Sequence, residues 1–160
     1  MIDKVSEFVL KLKSITNERE MLDFTLSFIM SLINCESATY FSVNDKKGVL
    51  TFEIVKGVCQ DVLEGVSFKY EGVCGWCAKH KKNMIVKDTS KNPEFTKKLD
   101  YATKYNTRSI VCVVLVNKDK LKGVFEFVNP IEKDFFDNDD LNIAELFVNI
   151  LSLKIDWDNA

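Results

Sequence analysis

The sequence predicts an α+β domain whose sheet carries a pocket, and three observations support this. Helical patterns occupy both ends of the chain, at residues 3–34 and 137–157. Two strand pairs joined by turn chemistry lie between them. Between the pairs, residues 72–117 read as a glycine-flanked short helix, a strand, a polar loop and a buried strand. That order wraps a pocket over a sheet. It holds no ready-made catalytic centre, so it points first to binding.

Taken in order, the N-terminal helical region breaks near Ser14 to Asn17. Asn17 can cap the second piece, and Glu18 and Glu20 in its first turn complement the helix dipole. Leu22, Leu26, Ile29 and Ile33 form one apolar stripe, widened by Met21, Phe24, Phe28 and Leu32. Residues 37–43 and 49–56 are strands about a turn at 44–48, and 66–70 is a short third strand. A short helix over 72–82 leads to a strand at 84–87. Pro93 suits a first helical turn, so 93–105 is expected to be helical. Strands at 108–117 and 121–129 form a second hairpin around Lys118-Asp119-Lys120.

The closing helix, 137–157, carries two stripes. Leu141, Ala144, Val148, Leu151 and Ile155 can cover the sheet. Ile143, Leu146, Ile150, Leu153 and Trp157 lie nearly opposite and want a partner. That partner is either a second copy, in a homodimer through the N- and C-terminal helices, or the N-terminal helix of the same chain.

With 160 residues and no repeat or linker, the chain reads as one domain, 1–160. A net charge of -2 and a pI near 5.5 give no electrostatic footprint for nucleic acid. Lys79, Lys81 and Lys82 read as a solvated helix end. No signal peptide or membrane-spanning run is evident, since the longest apolar run, 110–116, is strand-like. Cys35, Cys59, Cys74, Cys77 and Cys112 show no disulfide-scaffold spacing, which predicts a reduced, cytoplasmic protein.

Cys74 and Cys77 form a C-x-x-C, open to three readings: packing cysteines, a redox-responsive pair, or a metal half-site. A structural zinc site needs a second ligand pair, and the lone His80 has no companion. One histidine also leaves His-dependent hydrolysis unsupported, and Gly72-x-x-Gly75 lacks the Lys-Ser/Thr of a phosphate loop. Asp137, Asp139 and Asp140 read as capping and first-turn charge rather than cation ligands. Tyr40, Phe41, Phe52, Trp76, Phe95, Tyr101, Tyr105, Phe125 and Phe127 lie on elements that surround one sheet face. Thr89, Thr103, Thr107, Ser109 and Glu126 are scattered among them, a composition that suits a small-ligand pocket. If Glu126 is buried it needs a donor, from Arg108, Thr107 or a ligand, or else it belongs to a satisfied polar network.

Several segments, in order, resemble the GAF domain family over about residues 17–155. They include Cys35-Glu36-Ser37-Ala38-Thr39 at the first strand, Gly72-Val-Cys-Gly-Trp, Ile85-Val86-Lys87-Asp88 and Asn92-Pro93-Glu94-Phe95. Thr107-Arg108-Ser109, the run from Gly123 to Asn129, and Phe136-x-x-x-Asp140-Leu141 complete the pattern. The resemblance implies a GAF/PAS-like arrangement: a central antiparallel sheet of five to six strands with the N- and C-terminal helices packed on one face. Short helices and loops would form a pocket on the other face, under 72–82 and 88–107. It further implies a stand-alone, small-molecule-binding sensory domain that signals through its terminal helices and is not an enzyme.

In cyclic-nucleotide-binding members, pocket contacts come from positions similar to Thr39, Thr89, Thr103, Thr107 and Glu126. This chain departs from them at Pro130, where they carry Lys, at Leu141, where they carry Glu, and at Lys104, where they carry Gly. Bilin-binding members place a cysteine before a histidine, but here Lys79 precedes His80. Free methionine-(R)-sulfoxide reductases share a motif similar to Gly72 to Gly75. Their catalytic cysteine falls where Lys97, Lys98 and Leu99 stand, and a resolving cysteine falls near Glu64, with Cys59 the nearest here. The expected ligand-binding set is therefore Thr39, Trp76, Asp88, Thr89, Tyr101, Thr103, Thr107, Ser109 and Glu126, with Cys74 and Cys77 as the possible redox pair. The ligand is unidentified, and no metal, haem or bilin is expected. The remaining alternatives are a sulfoxide reductase-like enzyme and a ligand-free interaction or dimerisation module.

Overall fold

The computed structural model describes residues 1–58, 63–96 and 105–158, so that Cys59, Lys97, Lys98, Leu99, Tyr101, Thr103 and Lys104 lie outside the described residues. Two helices, α1 (Ile2–Ser14) and α2 (Glu18–Ile33), lead into strands β1 (Cys35–Asn44), β2 (Val49–Gly57) and β3 (Ser67–Lys69). Helix α3 (Gly72–His80), strand β4 (Met84–Val86) and a single 3-10 turn (Thr89–Lys91) follow. The chain then runs through β5 (Ile110–Asn117), β6 (Lys120–Pro130) and α4 (Asn138–Ser152).

The break between α1 and α2 is made by two caps. At the start of α2 the Asn17 carboxamide accepts the Glu20 N–H at 3.1 Å. At the end of α1 the Lys154 ammonium donates to the carbonyls of Leu12, Lys13 and Ile15. Leu12 and Lys13 lie in the last turn of α1, where carbonyls lack the usual i+4 donor, and Leu12 also accepts the N–H of the C-cap Ile15 at 3.2 Å. One lysine from the end of the chain thus ties α1 to α4.

The six strands form one antiparallel sheet in the order β3-β2-β1-β6-β5-β4. Its two faces build two cores. On one face Tyr40, Phe125, Phe127, Val111 and Leu115 pack with Leu26 and Ile29 of α2 and Phe147 of α4. On the other face Phe41, Phe52, Cys112 and Val124 pack with Val73, Cys77 and Ala78 of α3. Strand β5 alternates between these cores, which is why its sequence is an unbroken apolar run. The terminal helices share one face and α3 takes the other.

Gly123 of β6 is required by close approach. A Cβ there would lie 2.2 Å from the Tyr40 hydroxyl. The Tyr40 ring, buried against Phe125 at 4.9 Å, lies across the glycine and its hydroxyl reaches the Lys122 carbonyl.

Of the helix expected over 93–105, residues 93–96 are described and are not helical, 93–94 forming a turn, and 97–104 lie outside the described residues. The Asp88 carboxylate accepts the Ser90 N–H at 3.0 Å and caps the 3-10 turn, and the Asn92 carboxamide accepts the Glu94 N–H at 2.8 Å. Helix α4 stops at Ser152, short of Trp157, whose indole N–H turns back to the Ser152 carbonyl at 2.9 Å. Its buried face centres on Phe147, which meets Phe8 of α1 edge-on at 5.0 Å. Of the outward stripe, Ile143, Ile150 and Trp157 are partly covered by the same core. Leu146 and Leu153 stay exposed, at 38% and 87%. At the start of α4, Asp137 and Asp140 form a reciprocal capping box, and Lys133 pairs with both. Among the described residues no helix is long and apolar enough to cross a membrane.

Gly123→Ala should force Tyr40 off its site and cost about 1–3 kcal/mol, as overpacking of a close-packed core does. The midpoint of urea unfolding measures this, and an unchanged midpoint would contradict the Tyr40 contact. Lys154→Met should raise amide hydrogen exchange in the last turn of α1 and leave β5 and β6 protected. Equal exchange in both proteins would show that the lysine does not cap the helix.

Candidate functional site

Helix α3 lies very close to the end of β3, and Gly75 permits the approach. A Cβ at Gly75 would stand 2.6 Å from the Tyr70 carbonyl carbon. Tyr70 cannot easily yield, because its N–H donates to the Gly48 carbonyl at 2.8 Å and its hydroxyl to Asp45 at 2.9 Å. The first turns of α3 therefore roof the sheet and leave a cavity of about 240 Å³ beneath. Phe41, Phe52, Ile110, Val128 and the side chain of Glu126 form its floor. Val66 and Phe68 wall one side, Val73 and Cys74 roof it, and Glu71, Phe95, Thr96 and Thr107 complete the rim. Mostly apolar walls with a few polar groups are the usual make-up of a small-molecule site.

The rim at Thr107 is held by a polar cluster centred on Asn129, at the end of β6. Asn129 is buried and sits at φ 59°, a left-handed conformation that asparagine tolerates better than most residues. Its carboxamide oxygen accepts the N–H groups of Arg108 at 2.8 Å and Ser109 at 3.2 Å. Its NH₂ donates to the Tyr105 hydroxyl at 2.9 Å and the Asn106 carbonyl at 2.8 Å. Arg108 in turn donates to the carbonyls of Pro130 and Asp134 and pairs with Glu36 at 3.5 Å.

The structure brings Thr107 and Glu126 of the expected set to the cavity wall. Thr39 pairs with Glu126 across β1 and β6 and shares its face, but it is buried beside the cavity rather than lining it. The Thr89 hydroxyl donates to the Thr107 carbonyl at 2.8 Å. The Ser109 hydroxyl donates to the Val86 carbonyl at 3.1 Å and accepts the Phe136 N–H at 2.9 Å. Asp88 caps the 3-10 turn through Ser90. The polar groups of these three are committed to backbone or turn, which keeps them off the wall. Trp76, half-buried, lies tilted against the His80 ring one turn along α3, with centroids 4.6 Å apart, and is also off the wall. Tyr101 and Thr103 lie outside the described residues.

Among the described residues the thiol of Cys74 donates to Glu126, at 2.9 Å. Sequence reasoning missed Glu71, Thr96 and Phe68 as lining residues. Phe41, Phe52 and Val128 were findable by strand alternation, since each shares the Glu126 face.

The C-x-x-C gains a third member from the sheet. The Cys112 thiol of β5 lies 3.5 Å from the Cys74 sulfur and also meets Cys77. Burial pushes the Cys74 and Cys112 thiols well above the usual range, and the contact with Cys112 followed by burial does so for Cys77. Cys35, buried on the opposite face, is pushed up to about 12 by burial. Among the described residues no group of three or more His, Cys, Asp or Glu side chains is arranged to hold a metal ion.

Residues 17–155 match the family model of the GAF domain. Among curated proteins, the cone cGMP-specific 3',5'-cyclic phosphodiesterase subunit alpha' of Bos taurus is 29% identical over 82 residues, 51% of this chain and 10% of that protein. The dual 3',5'-cyclic-AMP and -GMP phosphodiesterase 11A of Takifugu rubripes is 24% identical over 164 residues, 93% of this chain and 18% of that protein. The chain thus spans under a fifth of the length of these relatives. Among solved structures, the GAF domain of a phosphoenolpyruvate-protein phosphotransferase from Coxiella burnetii superposes with a TM-score of 0.79 at 11% identity, covering 95% of this chain and 90% of that one. The free methionine-R-sulfoxide reductase of Neisseria meningitidis, in complex with its substrate, superposes with a TM-score of 0.75 at 17% identity, covering 93% and 84%. Such low identities show a shared fold and nothing of shared chemistry. The family match over residues 17–155 and the layered sheet with its roofed cavity agree: this chain belongs to the GAF domain family.

Proposed function

We propose that this chain is a small-molecule-binding regulatory domain that passes ligand occupancy to its terminal helices. The observation that carries the reading is that cavity and terminal helices sit on opposite faces of the same two strands. Along β6, Glu126 and Val128 face the cavity while Phe125 and Phe127 pack in the core beneath α2 and α4. Along β5, Ile110 faces the cavity and Val111 the helices. A ligand that displaces Glu126 or Ile110 must therefore press on the core that seats α4. Packed cores transmit such shifts because they have little free volume to absorb them. The energy available is the ligand's difference in affinity between the two positions of the strands.

An enzymatic reading of the sulfoxide reductase kind needs, by the resemblance, a catalytic cysteine where Lys97, Lys98 and Leu99 stand and a resolving cysteine near Glu64, and the sequence carries neither. The regulatory reading is thus the better supported. The exposed Leu10 of α1, at 68%, and Leu153 beyond α4, at 87%, further support a homodimer through the terminal helices as the output of the switch.

The pocket assignment is tested by Thr107→Val combined with Glu126→Gln, which keeps side-chain size while changing the polar groups. Metabolites that stabilise the wild-type chain in a thermal-shift panel, with cyclic AMP and cyclic GMP included, should not stabilise the double variant. A retained shift on a folded variant would sink the assignment. For the output, Leu153→Glu should shift the sedimentation profile of the chain from dimer to monomer. A wild-type chain that sediments as a monomer at micromolar concentration would remove the dimer.

A further inference from the structure

The cysteines flagged by spacing are Cys74 and Cys77, but the geometry points to a different pair: we propose that Cys74 and Cys112 form an oxidation site for small hydroperoxides that enter the cavity. The two sulfurs are 3.5 Å apart, across the contact between α3 and β5. Among the described cysteines Cys74 is the one that lines the cavity, while Cys77 and Cys112 lie behind it. Glu126 accepts the Cys74 proton at 2.9 Å, and the Cys112 thiol donates to Cys74. A chain of two thiols thus ends on a carboxylate at the cavity wall. The site depends on the cavity but not on any metabolite binding there.

The reaction balances with a hydroperoxide as the oxidant. The Cys74 sulfur attacks the distal peroxide oxygen as its proton passes to Glu126. The S–O bond forms, the O–O bond breaks, and the departing oxygen takes that proton to leave as water or alcohol. Cys112 then attacks the sulfenic sulfur of Cys74. The S–S bond forms, and hydroxide leaves with the Cys112 proton as water. Two thiols lose two electrons and two protons, and the peroxide is reduced. Burial, and for Cys74 the Glu126 carboxylate as well, keep these sulfurs protonated. The attack on the peroxide therefore proceeds only as the Cys74 proton moves onto Glu126, and is slower than that of an exposed thiolate. A small uncharged oxidant reaches Cys74 through the cavity, with Glu126 as the local proton acceptor. The disulfide would draw Cys74 toward β5 and away from Glu126, so oxidation would remodel the cavity floor.

The test treats the reduced full chain with hydrogen peroxide, quenches with N-ethylmaleimide in denaturant, and reads intact mass and a peptide map. The wild-type chain should lose two alkylatable thiols and yield a peptide linked through Cys74 and Cys112. Cys77→Ala should do the same. Cys112→Ala should give no such link and should accumulate a sulfenic acid at Cys74 that dimedone traps. The wild-type map decides the pairing without any variant. A link from Cys74 to Cys77, or no thiol loss at a peroxide concentration that oxidises glutathione, overturns the proposal. Val128→Phe, which narrows the cavity, should slow the linkage severalfold. An unchanged rate in folded Val128→Phe would overturn entry through the cavity.

Discussion

The fold depends on how β6 ends. At Asn129 the chain leaves the sheet in a left-handed turn, and one carboxamide makes two accepting and two donating hydrogen bonds within a buried site. That exhausts what the group can offer. It fixes the backbone of Arg108 and Ser109, and from them three parts of the molecule take their positions. Thr107 is set at the cavity rim. Ser109 holds the end of β4 through Val86 and the approach to α4 through Phe136. Arg108 spans from β6 to Glu36 at the start of β1. An aspartate at 129 would lose both donated bonds, and an apolar residue would strand two buried N–H groups.

A second constraint is that the middle of the sheet has no solvent face. β1, β5 and β6 each supply side chains to both cores, so a change on the cavity face has no soft layer in which to dissipate. The terminal helices are coupled to one another as firmly. Phe8 and Phe147 meet across α1 and α4, Phe28 of α2 packs on both, and Lys154 closes the end of α1. A helix shift at one terminus therefore moves the other. This gives the regulatory reading a route made of contacts.

Elements with periodic apolar patterns were legible in the sequence. The helix break capped by Asn17, both hairpins and the unbroken β5 run stand where residue spacing put them. The family resemblance supplied the layering that spacing alone could not. What failed did so for local or long-range reasons. Of the helix expected over 93–105, the described start at 93–96 is not helical, and 97–104 lie outside the described residues. The end of α4 was cut by Trp157 and Lys154, whose partners Ser152 and Leu12 cannot be guessed from periodicity. In the site, residue type foretold the cavity's character better than its membership. Hydroxyls at Thr89 and Ser109 have the chemistry of ligand contacts, yet buried backbone groups claim them first. The thiol donor to Glu126 was invisible because it joins residues from a helix and a strand far apart in sequence.

The size of the cavity bears on whether such a domain could simply leave it unused. Val66, 44% exposed, and the exposed Glu71 stand at its wall and rim, so the cavity of about 240 Å³ opens to solvent and is not a sealed void. The walls are not free to close, because Phe41, Phe52 and Phe68 brace one another with ring centroids 4.6 to 5.8 Å apart. The cavity is therefore filled, by water or by a ligand. Water is well served near Glu126, Glu71 and the threonines, and poorly against the phenylalanine rings and aliphatic side chains that make most of the wall. Displacing water from such rings is favourable, and a molecule with an apolar body and one polar edge satisfies both parts of the wall. The same aromatic bracing that prevents collapse thus makes the site favour an occupant.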